Sequence, residues 1–215
     1  MKIDSIIFDL DGTLWDATKT FKKLFDGEMN KVQGVKGKVT REQIESAMGL
    51  QIGDFVKKIF PYLNEDSQMK VGELFTTNNF KYVNKYGGEV YTNVEETLKT
   101  LSKKYSLFIV SNCELGYIDA FFNNTKLDKY FTGYESSGNT KLSKKDNIEL
   151  VAKRYNLKNP IYVGDTNLDY ESAKGANVPF VFASYGFGDV ENSKYKIDDI
   201  VDLIGVVDEI NNDLK

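Results

Sequence analysis

The stretch Ile6-Ile7-Phe8-Asp9-Leu10-Asp11-Gly12-Thr13-Leu14 decides how the rest of the chain is read. Consecutive large apolar residues followed by aspartates and a glycine describe a buried strand that runs out into a polar turn. Three more runs share this character: Leu107-Phe108-Ile109-Val110, Ile161-Tyr162-Val163 and Pro179-Phe180-Val181-Phe182. Helical segments over 94–104, 116–123, 145–155 and 169–175 alternate with them. In one of these, Ile148, Val151, Ala152 and Tyr155 fall at i, i+3, i+4 and i+7, an amphipathic stripe. The alternation predicts an α/β fold with a doubly wound parallel (Rossmann-like) sheet. Between 15 and 88 the alternation stops, leaving helical stretches at 18–25, 41–48, 54–60 and 66–86. The expected organisation is an α/β core of residues 1–14 and 89–215, with a helical cap domain of residues 15–88 inserted after the first strand. Ile200, Leu203, Ile204, Val207 and Ile210 predict a closing helix within 198–215.

Composition narrows the chemistry. The chain has 215 residues, of which 41% are hydrophobic and 28% charged, enough for a substantial core without disulfides. Its formal charge of −4, with no basic block, argues against nucleic acid as a partner. No run approaches the roughly 18 apolar residues of a membrane helix, and the first residues lack a signal-peptide pattern, so the cytoplasm is the expected compartment. A single cysteine, Cys113, and no histidine exclude a disulfide framework, Cys- or His-based zinc sites and His-dependent catalysis. Carboxylates, lysines and hydroxyls must carry any reaction.

In an open α/β sheet, ligands bind beyond the carboxyl ends of the strands. Three of the predicted strands end there in reactive residue types: Asp9 and Asp11; Ser111-Asn112; and Gly164-Asp165-Thr166-Asn167-Leu168-Asp169. Clustered carboxylates repel unless a cation lies between them. A hard ion such as Mg²⁺, bound by a few carboxylates, waters and a substrate phosphate, resolves the conflict. Asp9 could then attack phosphorus and Asp11 could protonate the leaving oxygen. Ser111 and Asn112 could hydrogen-bond the transferring group's oxygens, and a lysine could balance the remaining charge.

These motifs carry a resemblance. Ile7 to Leu14 is similar to the first signature of the haloacid dehalogenase-like hydrolases, Ile109-Val110-Ser111-Asn112 to the second, and Gly164 to Asp169 to the fourth. The insertion resembles the helical cap of the subgroup that contains phosphoglycolate phosphatases and β-phosphoglucomutases. The segment Met48 to Phe55 is similar to a glycine-containing turn of such caps. The resemblance implies Asp9 as the nucleophile of an aspartyl-phosphate mechanism, and Asp11 as general acid/base that also meets Mg²⁺ through its backbone carbonyl. It implies Ser111, the Asn112 amide and a lysine as phosphate ligands, Asp165 as a metal ligand, and Asp169 as support for the metal site through water or hydrogen bonds. Many relatives place Lys-Pro at the lysine; this chain has no such pair and offers Lys141, Lys144 and Lys145. Lys144, directly before the amphipathic helix, is the expected choice and Lys141 the alternative.

The expected function is therefore a Mg²⁺-dependent phosphatase of a small phosphorylated metabolite, phosphoglycolate-like or a sugar phosphate, working as a monomer or homodimer. The alternatives are a sugar phosphomutase and a non-catalytic phospho-accepting module like a receiver domain, against which the helical insertion argues. A dehalogenase attacks carbon and has no use for Asp11 as leaving-group acid. Asp16 is expected to cap the first insert helix, and Lys57 and Lys58 to lie on a solvated face. Trp15, Tyr117, Tyr185 and Phe187 read as packing residues, and Cys113 as structural.

Overall fold

The computed structural model describes residues 2–213. Strands β1 (Ser5–Phe8), β4 (Ser106–Ser111), β5 (Gly133–Ser136), β6 (Pro160–Gly164), β7 (Phe180–Ala183) and β8 (Tyr195–Ile197) form one sheet in the order β5-β4-β1-β6-β7-β8. All of its pairings are parallel. The chain leaves β1 toward β4 and β5, then crosses back to β6 and proceeds the other way, so the order reverses beside β1. Such a reversal opens a crevice at the carboxyl edge.

The apolar runs are continuous because both faces of the sheet are covered, and the two-residue period of a strand divides them between layers. Ile6, Phe8, Leu107, Ile109, Ile161 and Val163 join one core, whereas Ile7, Phe108, Val110 and Tyr162 join the other. The second layer receives Ile148 and Val151 from α8 (Lys144–Arg154) and Ala173 from α9 (Asn167–Gly175). The first receives α5 (Val94–Leu101), α6 (Tyr117–Thr125) and α10 (Leu203–Asp213).

Directly after β1 the chain passes through β2 (Trp15–Asp16), which pairs antiparallel with β3 (Glu89–Val90) in a two-stranded ribbon. Between these two strands lie α1 (Thr18–Glu28), α2 (Arg41–Ala47), α3 (Ile52–Ile59) and α4 (Glu65–Tyr86). Phe21, Phe25, Phe55 and Phe75 knit this helical insert together, and their cluster is continuous with the core above the first sheet face. Asp16 accepts hydrogen bonds from the amide (2.8 Å) and hydroxyl (2.6 Å) of Thr18 at the start of α1, and pairs with Arg41.

Several elements differ from expectation. The edge strands β5 and β8 and the short helix α7 (Ser137–Thr140) were not expected. Gly133-Tyr134-Glu135-Ser136 and Tyr195-Lys196-Ile197 carry polar residues because an edge strand is half covered. The closing helix begins at Leu203, after a turn over Ile200–Asp202 that Asp199 caps. Leu214 and Lys215, which the prediction included in that helix, lie outside the described residues.

Candidate active site

Register brings the polar strand ends together. Phe8 pairs with Ile109 on one side and Val163 on the other. The residues that follow, Asp9, Ser111 and Asp165, therefore leave the sheet along one edge. The Asp9 amide is held by the Val163 carbonyl at 2.8 Å. Asp9, Asp165 and Asp169 are essentially fully buried, and each offers a carboxylate oxygen within 4.8 Å of the others.

Lys144 enters this cluster from the start of α8, where Ser143 caps the helix by accepting from the Asp146 amide. Its Nζ lies 3.0 Å from Asp9 Oδ1 and 2.6 Å from Asp169 Oδ1. Lys145, one position on, faces outward to Glu149, and Lys141 Nζ donates to the Gly138 carbonyl instead. Burial alone would depress the Lys144 pKa, but Asp169 and Asp9 outweigh it and hold the ammonium above its ordinary value.

Both oxygens of Asp169 already accept hydrogen bonds. Its Oδ1 takes Lys144 and, at 3.4 Å, the Tyr162 hydroxyl, while its Oδ2 takes the Thr166 amide and hydroxyl. It thus completes a capping box with Thr166 at the start of α9 and fixes Lys144 at the same time. Asp165 is different. Its Oδ2 accepts from the Phe187 amide at 2.8 Å, but its Oδ1 is buried without a partner among the described residues. Burial, then the charges of Asp169 and Asp9, push its pKa well above the carboxylate range. Asp9 is lifted to about 6 by burial against the pull of Lys144. Three carboxylates around one ammonium leave two negative charges, which one divalent cation would offset. The orphaned Oδ1 and an all-oxygen donor set fit a hard ion such as Mg²⁺.

Asp11 lies beside this cluster. Burial raises its pKa to about 8, although the Tyr117 hydroxyl donates to its Oδ1 at 2.6 Å. Tyr117, expected only to pack, thus also touches a candidate reacting group. Asp9, Asp11, Ser111 and Asn112 line one cavity. The insert closes over it: Asn112 Nδ2 donates to the Gly49 carbonyl at 2.9 Å, and Gln51 Nε2 to the Leu142 carbonyl at 3.4 Å. Ser137 Oγ donates to Asn112 Oδ1, fixing that side chain. Cys113 also lines the cavity, and desolvation raises its thiol pKa well above the ordinary range.

Sequence reasoning missed the Gly186-Phe187-Gly188 loop. A Cβ on Gly186 would sit 2.3 Å from Asp165 Cβ and 2.5 Å from the Gly12 carbonyl oxygen. Gly12 itself has φ +86° and packs so closely that a Cβ would meet Asp165 Oδ2 at 2.0 Å. The paired glycines at 186 and 188 were the available signal. Lys57 and Lys58 do not line the cavity.

Comparison with known proteins identifies the family. A sequence model of the haloacid dehalogenase-like hydrolase family matches residues 6–183. A phosphoglycolate phosphatase from Rhodobacter capsulatus is 28% identical over 194 residues, covering 85% of each chain. A haloacid dehalogenase-like family hydrolase from Streptococcus pneumoniae superposes with a TM-score of 0.84 at 21% identity, over 95% of this chain and 98% of that one. A structure from Haemophilus somnus, described as a predicted phosphoglycolate phosphatase, gives 0.82 at 19% identity, over 96% and 98%.

Proposed function

This chain belongs to the haloacid dehalogenase-like hydrolases, and from that premise we propose that it is a Mg²⁺-dependent phosphatase of small phosphomonoesters, with residues 15–88 serving as a cap over its catalytic core. The observation that carries the reading is the buried Asp9–Lys144–Asp165 cluster with its unpartnered Asp165 oxygen, of which Asp9 also lines the cavity that Asp11 and Ser111 share.

When bound, the metal would supply charge neutralisation for the carboxylates and the phosphoryl oxygens. Asp9 and Asp165, with the Asp11 carbonyl, are the residues that would hold it. Lys144 occupies Asp9 Oδ1, leaving the other oxygen to attack phosphorus while the ester P–O bond breaks. Asp11, which burial keeps protonated near neutral pH, delivers its proton to the departing alcohol oxygen. It then removes a proton from the water that attacks the aspartyl-phosphate, releasing inorganic phosphate and restoring Asp9. Ser111 and the Asn112 amide hold the transferring oxygens, and the closed insert excludes bulk water during the first transfer.

Phosphate release from a panel of phosphomonoesters tests this. Release should depend on Mg²⁺, stop with chelator, and fall by at least about 10³-fold in Asp9→Asn. Full activity of Asp9→Asn, or activity indifferent to chelator, would remove the mechanism.

A further inference from the structure

The roof of the cavity has a chemistry that none of these steps uses. Along α4, Val71, Phe75, Asn79 and Val83 recur every fourth residue and are all buried, so a single polar side chain interrupts an apolar ridge. Asn79 is 2% exposed and lines the cavity, and its Oδ1 accepts no hydrogen bond from the described residues. A buried amide left unpaired costs stability, and a group placed in the cavity is what can answer it. Around it stand the rings of Phe21, Phe55, Phe75 and Tyr117.

The charges on the cavity wall are one-sided. Asp9, Asp11 and Glu114 line it, and among the described residues no lysine or arginine does. Two of the insert's cations are engaged by its own groups or by Asp16: Arg41 pairs with Asp16 and Glu45, and Lys58 donates to the Ser46 carbonyl. A second anionic group on the substrate, such as a carboxylate, would be desolvated among the rings and beside Asp11 and Glu114.

We infer that Asn79 is a specificity-determining residue, and that the preferred leaving group is an uncharged alcohol with an apolar, ring-sized body and a hydrogen-bonding group that meets Asn79. This rests on the phosphatase reading above and adds the substrate class. The side-chain amide offers both an acceptor and donors, so a hydroxyl on the far end of the substrate suits it.

Steady-state kinetics with para-hydroxymethylbenzyl phosphate, benzyl phosphate, phosphoglycolate and p-nitrophenyl phosphate tests the inference. The wild type should favour the hydroxylated benzyl ester over benzyl phosphate, and both over phosphoglycolate, by about tenfold or more in kcat/KM. In the near-isosteric Asn79→Leu the advantage of the hydroxyl should collapse to about one, mainly through KM, with Tm equal to or above wild type because the orphaned amide is gone. Release from p-nitrophenyl phosphate together with a preference for phosphoglycolate would overturn this inference alone. So would a hydroxyl preference that survives in Asn79→Leu, or a Tm lowered in that variant, which would mark Asn79 as a structural residue. Silence toward all four esters would remove the phosphatase reading and this inference with it.

Discussion

The Lys144 ammonium has given up its hydration to sit 3.0 Å from Asp9 and 2.6 Å from Asp169, with its side chain 1% exposed. A buried ion pair adds little net stability, because desolvation consumes most of the Coulomb gain, yet removing one partner strands the other charges. Lys144→Met should therefore lower stability by about 3–5 kcal/mol in chemical denaturation without metal. Added Mg²⁺ should restore part of that loss, because a cation again faces the carboxylates. A variant as stable as wild type would mean the aspartates are not mutually repelling. Which of three neighbouring lysines does this was only partly legible. Helix geometry decides it: successive residues point about 100° apart, so Lys144 turns inward where Lys145 turns to Glu149. Asn79 was not legible at all, since a single asparagine among many exposed polar residues carries no local signal.

At the scale of elements, the strand ends place the carboxylates, but the loop that follows β7 completes Asp165. Gly186→Ala should drive a methyl group into Asp165 and the Gly12 carbonyl, neither of which is the free end of a flexible chain. The variant should lose about 2 kcal/mol or more and bind Mg²⁺ more weakly, as thermal unfolding with and without the ion would show. Gly205→Ala is the control: a Cβ there meets nothing within 4 Å, and alanine in α10 should stabilise by about 0.5–1 kcal/mol. Equal behaviour of the two variants would contradict the role given to the loop. The same contrast explains what was readable among the strands. β1, β4, β6 and β7 are covered on both faces and announce themselves as apolar runs. β5 and β8 are edge strands whose Tyr134 and Lys196 face outward, and nothing local separates them from loop.

Across the whole molecule, burying acids couples stability to pH. Asp9 and Asp11 have folded-state pKa values raised to about 6 and about 8, and burial also raises Asp165 and Glu114. An acid whose pKa is raised on folding contributes stability that is complete below its unfolded value of about 4 and is lost as pH climbs through the folded value. The chain contains no histidine to add a slope of the opposite kind. The metal-free protein should thus lose at least about 5 °C in Tm between pH 5 and pH 8, and Mg²⁺ should reverse most of the loss at the upper end. A Tm that rises with pH in the absence of metal would contradict this. The sequence made the rim of acids legible because each lies in a short local pattern. The closed fit of the insert, through Gly49 on Asn112 and Gln51 on Leu142, depends on contacts between distant segments that no local pattern records.

The most direct measurement is to trap the phosphorylated chain. Acid quenching during turnover of a good substrate, followed by borohydride reduction and peptide mass spectrometry, converts an aspartyl-phosphate to homoserine at the residue that carried it. Homoserine should appear at position 9 in the wild type with Mg²⁺, and not in Asp9→Asn. Steady phosphate release with an unmodified Asp9, or with the label on another carboxylate, would contradict the mechanism.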